Sequence, residues 1–245
     1  MRKLIIAFVI AVLPGMALAS EGGVHLQKVD IDLNNKETLQ RGAKVFVNYC
    51  LSCHSANFMR YNRMGRDLGL TDKEVKENLM FAADKVGETM SIAMPSEKSA
   101  VWFGTAPPDL SVIARAKGKD YLYTYLTGFY VDDTRATGVN NVALHNVAMP
   151  DVLWELEGLK APIYKTEKHG EEEVKVIEGY KYLTKGKQTP AEFDATVRDL
   201  VAFLVYMGEP SQQTRKAYGI WVLLFLFGLF VVSYYLKREY WKDVH

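Results

Sequence analysis

The chain has 245 residues, with 30 Lys and Arg against 29 Asp and Glu. That balance leaves no basic excess to suggest a nucleic-acid partner. Hydrophobic residues at 49% are too many for a disordered chain, and 2 cysteines are too few for a disulfide scaffold.

In chain order, Arg2 and Lys3 precede an apolar stretch from Leu4 to Leu13, and Ala17-Leu18-Ala19 forms an A-x-A site before Ser20. This pattern predicts a signal peptide over residues 1–19, cleaved on export. Removing it leaves basic and acidic counts within one of each other. Residues 20–214 are then about 195 residues of exported domain, within the range of a single core. No internal repeat is evident.

Asn34, with Glu37 three residues later, predicts a helix start. Leu39, Ala43, Phe46, Val47 and Cys50 follow at helical spacing and mark a face turned toward the core. That helix runs into Cys50-Leu51-Ser52-Cys53-His54, a C-x-x-C-H run. Two thiols three positions apart suit covalent attachment of one c-type haem through its vinyl groups, and the adjoining imidazole can ligate iron. The motif uses both cysteines in the chain. A zinc site would need a second ligand pair at knuckle spacing, which His145 and His169 do not form. A thiol-disulfide motif would belong to a βαβ pattern that the sequence lacks.

Thr71 with Glu74 opens a second predicted helix, and Asp120 to Leu126, closed by Gly128, a third. Residues 156–188 are rich in Lys, Glu and Gly, and predict a surface hairpin or loop whose mixed charge serves solvation. Thr189-Pro190-Ala191-Glu192 combines a capping box with proline at the first helical position. Phe193, Val197, Leu200, Val201 and Leu204 mark one face of that helix, expected to pack on the first, and Gly208 followed by Pro210 ends it.

From Tyr218 to Leu236, 19 residues carry no charge, between Arg215-Lys216 and Lys237-Arg238. At about 1.5 Å per residue this segment can cross a bilayer. Tyr218 and Trp221 at one end, and Tyr234, Tyr235, Tyr240 and Trp241 at the other, suit the two interfaces. The segment predicts a transmembrane anchor over 215–238 and a cytoplasmic tail over 239–245, with the haem domain in the periplasm of a bacterial inner membrane.

A haem that only moves electrons gains from a second fixed ligand, and methionine raises the potential by favouring ferrous iron. The candidates are Met59, Met64, Met80, Met90, Met94, Met149 and Met207, most of them expected to fill core gaps. Met94 and Met149 precede prolines, where extended backbone can present a side chain from a loop. His145 is a rival, and spacing alone does not choose among them.

Pro107-Pro108-Asp109-Leu110-Ser111, Asp120-Tyr121 and Leu126-Thr127-Gly128 resemble the cytochrome c1 family of the quinol:cytochrome c reductase. Arg41-Gly42 before the haem motif, Ala148-Met149-Pro150, the helix end from Asp199 to Pro210 and the tail anchor continue the resemblance in order over nearly all of the mature chain. It implies a mainly α fold: a cytochrome c-like haem domain with insertions plus one C-terminal transmembrane helix. It further implies thioether bonds at Cys50 and Cys53, iron ligation by His54 and Met149, Pro107 and Pro108 beside the histidine, and Tyr121 near a propionate. The loop from Ser111 to Asp120 is shorter than in the family, and Arg115 or Lys117 takes the place of its propionate-side arginine.

The implied function is single-electron transfer from the Rieske iron-sulfur protein to a periplasmic cytochrome c. Cytochrome b and the membrane are further partners, the assembly is a dimer of the bc1 complex, and the chain by itself makes no bonds in a substrate. The alternative is another membrane-tethered monohaem cytochrome c serving a terminal oxidase. An open-site haem enzyme or gas sensor, and a haem-free thiol oxidoreductase, are readings of other classes.

Overall fold

A computed structural model describes residues 25–169 and 172–243. The expected signal peptide lies outside the described residues. In chain order the elements are α1 (Lys36–Val45), a π-helical turn (Phe46–Cys50), β1 (Ala56–Arg60), α2 (Tyr61–Leu68), α3 (Asp72–Asn78), β2 (Thr89–Met90) and α4 (Ser96–Phe103). They continue with α5 (Ile113–Lys117), α6 (Lys119–Thr127), β3 (Phe129–Val131), β4 (Val139–Asn141), α7 (Trp154–Glu157), β5 (Lys160–His169), β6 (Glu172–Tyr182), α8 (Pro190–Gly208) and α9 (Gln212–Tyr240).

Helix α1 starts one residue later than the sequence suggested. Asn35, and not Asn34, is the cap, its Oδ1 accepting from the backbone N–H groups of Glu37 at 3.0 Å and Thr38 at 3.2 Å. That satisfies two of the helix's unpaired donors. The expected apolar face is buried throughout, with Leu39, Ala43, Phe46, Val47 and Cys50 all less than 9% exposed. The α-helix gives way at Phe46 to a wider turn in which Leu51 N–H donates to Phe46 O at 3.0 Å. This i→i+5 turn inserts an extra residue per turn and re-aims the chain as it enters the cysteine motif.

Helices α3 and α8 both begin with the capping boxes read from sequence, at Thr71 with Glu74 and Thr189 with Glu192. Helix α8 crosses α1, and the crossing is close because Gly42 has no side chain: a Cβ there would stand 2.1 Å from Asp199 O and 2.7 Å from Phe203 Cβ. Beside this contact Arg41 Nε donates to Asp199 Oδ2 at 2.5 Å, and Phe46 meets Phe203 with ring centroids 5.5 Å apart. Helix α6 packs on the other flank of α8, so Tyr123 Oη donates to Asp194. The three helices form the centre of the main core, which β1, α2 and α3 extend through residues such as Met59, Tyr61, Met64 and Val75.

Among the described residues the strands form three two-stranded antiparallel ribbons, β1–β2, β3–β4 and β5–β6. The last is the hairpin expected within 156–188; it runs from the pairing of Lys160 with Tyr182 and carries a bulge between Ile163 and Tyr164. At its base lies a buried ion pair, Lys160 with Glu157, whose side chains are 5% and 6% exposed. Helix α9 contains the apolar segment inside a longer helix of 29 residues and has no buried residue within this chain. It is the one described helix long and apolar enough to cross a membrane. Its apolar surface is therefore left uncovered by the rest of this chain.

Candidate haem site

Between the π-helical turn, α6 and α8, a cavity of about 370 Å³ opens to the surface. That falls within the usual range for cofactor pockets. Its walls are almost wholly apolar, from Leu122 and Leu126 of α6, Leu200 and Leu204 of α8, and Val147, Ala148 and Val152 of the loop after β4. Cys50, Cys53 and His54 line it, as do Pro107, Pro108, Tyr121 and Met149.

The cysteine motif is a tight turn in which the N–H groups of Cys53 and His54 both donate to Cys50 O, at 3.1 and 2.8 Å. It presents two free cysteines and one imidazole to the same space. Burial, with the neighbouring Cys53 adding to it, pushes the Cys50 thiol up to about 12. Cys50 is therefore a neutral thiol within an apolar wall.

His54 Nδ1 lies 2.7 Å from Pro108 O. A carbonyl can only accept, so Nδ1 carries the proton and Nε2 is left with a free lone pair. Burial holds the imidazole below its ordinary 6.5, against the opposing effects of that hydrogen bond and of Asp109. The neutral ring is the form that ligates a metal.

The loop that supplies this carbonyl is stitched to the chain just after the cysteine motif. Leu110 N–H donates to Ser55 O at 2.8 Å, Asn57 N–H to Asp109 Oδ2 at 2.9 Å, and Phe58 N–H to Ser111 Oγ at 3.0 Å. Ser111 N–H also donates to Asp109 Oδ1, at 2.8 Å. Burial would raise the Asp109 carboxyl, but these donors from Ser111 and Asn57 outweigh it and hold the group below its ordinary range. The Pro-Pro-Asp-Leu-Ser motif is thus a clamp that fixes where the Pro108 carbonyl sits.

Met149 enters from a different loop. Buried Asn140 and Asn141 organise it: Asn140 Oδ1 accepts from Asn146 N–H at 2.9 Å, and Asn141 Oδ1 from Ala143 N–H at 2.8 Å. Asn141 Nδ2 donates to Tyr125 O at 2.7 Å, tying the loop to α6. Asn146 takes a positive φ of 62°, which asparagine tolerates better than most residues. Met149 packs on the small cluster of Phe129, Val139 and Val147, and Tyr125 Oη donates to its Sδ at 3.4 Å.

The other candidate ligands are elsewhere. Met59, Met64, Met80, Met90 and Met207 are buried in the main core, and Met94 and exposed His145 are absent from the cavity wall. Arg115 is also absent from it. Its exposed side chain lies toward Gly208, with Cγ 3.4 Å from where a Cβ there would stand, and its charge acts on Glu209. The short helix α5 carries Arg115 and Lys117 two positions apart, so they leave it in different directions, and Lys117 is the one that lines the cavity, 5.3 Å from the centre of the Tyr121 ring. Sequence reasoning missed the Asn140-Asn141 pair and Tyr125. A repeat of tyrosine four positions after Tyr121, on the same helix face, was the one signal available for Tyr125.

The donor set suits a haem: two thiols, an imidazole oriented by a carbonyl, a thioether from a separate loop, and apolar walls between them. A sequence model of the Cytochrome C1 family matches residues 30–244. The chain is 47% identical to a protein named cytochrome c1 from Allochromatium vinosum, over the full length of both. It is 45% identical to one named ammonia monooxygenase gamma subunit from Nitrosomonas europaea, over all of this chain and 98% of that one. It is 27% identical to cytochrome c1 of Rhodospirillum rubrum, over 99% and 97% of the two.

Proposed function

The chain belongs to the cytochrome c1 family, and from that premise we propose that it is the membrane-anchored haem subunit of a bc1 complex, passing single electrons from a Rieske iron-sulfur protein to a periplasmic cytochrome c. The observation that carries the reading is the convergence of Cys50, Cys53, His54 and Met149 on one apolar cavity, with His54 Nδ1 tied to Pro108 O.

Bound there, a single covalent haem c supplies a one-electron couple. Cys50 and Cys53 are the two thiols that would hold it covalently through its vinyl groups. Pro108 fixes the tautomer of His54 and thereby aims Nε2 into the cavity. Met149 would offer a soft sulphur that favours the reduced state and, together with His54, would leave no place for an exogenous ligand. Lys117, at the cavity wall beside Tyr121, is the basic group for the propionates. The leucines of α6 and α8 exclude water, which limits solvent reorganisation as the charge changes.

Helix α9 is the anchor. The haem domain stands in the periplasm, the tail is cytoplasmic, and residues 1–19 are removed, so the mature chain begins at Ser20. Cytochrome b and the Rieske protein are the direct partners, in a dimeric complex. Purification from membranes in mild detergent tests the proposal. Cytochrome b and the Rieske protein should copurify, and a haem chain that emerges with a terminal oxidase instead would overturn it.

A further inference from the structure

We propose that Tyr125 is a positioning and tuning residue for Met149: its hydroxyl donates to the thioether sulphur, directs the sulphur's remaining lone pair to iron, and raises the reduction potential. The inference rests on the reading of Met149 as the axial ligand and adds a residue to it.

Tyr125 Oη stands 3.4 Å from Met149 Sδ. A thioether sulphur has two lone pairs and is a weak acceptor, so occupying one leaves a single direction for metal ligation. A neutral donor also withdraws density from the sulphur, which weakens its donation to ferric more than to ferrous iron.

The ring that carries this hydroxyl is held on several sides. It stacks on Tyr121 at 6.1 Å and 16°, and meets Phe129 edge-on at 5.3 Å and 75°. The Tyr125 carbonyl accepts from Asn141 Nδ2 at 2.7 Å, and Asn141 belongs to the same polar pair that shapes the Met149 loop. Donor helix and acceptor loop are therefore joined through Asn141, and the Oη–Sδ contact is a built one. Tyr123, two positions along the same helix, turns its hydroxyl to Asp194 on α8 and serves as an internal control.

The test is Tyr125→Phe in the membrane-purified, haem-loaded complex, read by potentiometric titration and by the methionine–iron charge-transfer band. The equilibrium constant for reduction should fall roughly three- to tenfold, the tenfold limit corresponding to about 59 mV for one electron. The band should persist but shift. Tyr123→Phe should leave both unchanged. An independent measurement on the wild type is the iron–sulphur vibration in H2O and D2O, which should be isotope-sensitive if a hydroxyl donates to the sulphur. An unchanged potential in Tyr125→Phe, an equal drop in Tyr123→Phe, or an isotope-insensitive vibration overturns the proposal. Absence of the charge-transfer band from the wild type would instead overturn the ligand assignment on which it rests.

Discussion

Replacing Lys160 with methionine keeps the length of the side chain and removes the only cation from a buried pair. Lys160 Nζ bonds the Glu157 carboxylate, donates to Thr127 O at 2.7 Å, and sits 4.7 Å from the centre of the Tyr180 ring. Burial raises the Glu157 carboxyl above its ordinary 4.5, and Lys160 is the principal opposing influence. Burial likewise raises Asp151, against the Leu153 N–H and Lys160. Lys160→Met therefore strands the buried Glu157 carboxylate and should destabilise the fold by about 3–5 kcal/mol near pH 7.5.

Without its partner, Glu157 titrates still higher in the folded state than in the unfolded one. A carboxyl shifted in that direction weakens the fold once it ionises, so the deficit is full above the folded pKa and shrinks as pH falls through it. Lys160→Met combined with Glu157→Leu should lose only about 1–3 kcal/mol, the cost of leaving the Thr127 carbonyl without its donor. Guanidinium unfolding of the detergent-solubilised, haem-loaded chain, followed by circular dichroism at pH 7.5 and pH 5, measures all three. A single variant within about 1 kcal/mol of wild type, well below the cost of a stranded buried charge, or one equally weakened at both pH values, would refute the reasoning.

Met149→Leu should keep the haem through the two thioethers yet lower the potential and open a position that binds carbon monoxide when reduced, seen in the reduced spectrum; Met94→Leu should do neither. Gly42→Ala places a methyl 2.1 Å from Asp199 O, so α1 and α8 must separate, and the chain should lose about 1–3 kcal/mol in the same unfolding assay. Truncation before Gln212 removes a helix with no residue buried in this chain, and should yield a water-soluble, haem-stained domain in the periplasmic fraction. Amino-terminal sequencing of the mature protein should begin at Ser20, and a sequence starting at Met1 would indicate a second anchor.

Local patterns in the chain already determined the C-x-x-C-H run, the capping boxes at Thr71 and Thr189, the buried face from Leu39 to Cys50, the hairpin within 156–188 and the apolar terminal helix. Each depends on residues within a few turns of one another, where spacing and chemistry act directly. The cap at Asn35 rather than Asn34 marks the limit of that reach, since two adjacent asparagines differ only in which side chain meets the helix N–H groups. Tertiary structure decided what distant segments do to each other. It seats Met149 on the cavity wall and leaves Met94 off it, because Asn140 and Asn141 shape one loop against α6 while nothing in an X-Met-Pro string encodes that contact. It turns Lys117 to the cavity and Arg115 toward Gly208, a matter of how a five-residue helix lies on α8. The Tyr125 hydroxyl meets the Met149 sulphur across 24 positions of chain, and only the packing of α6 against that loop brings the two together.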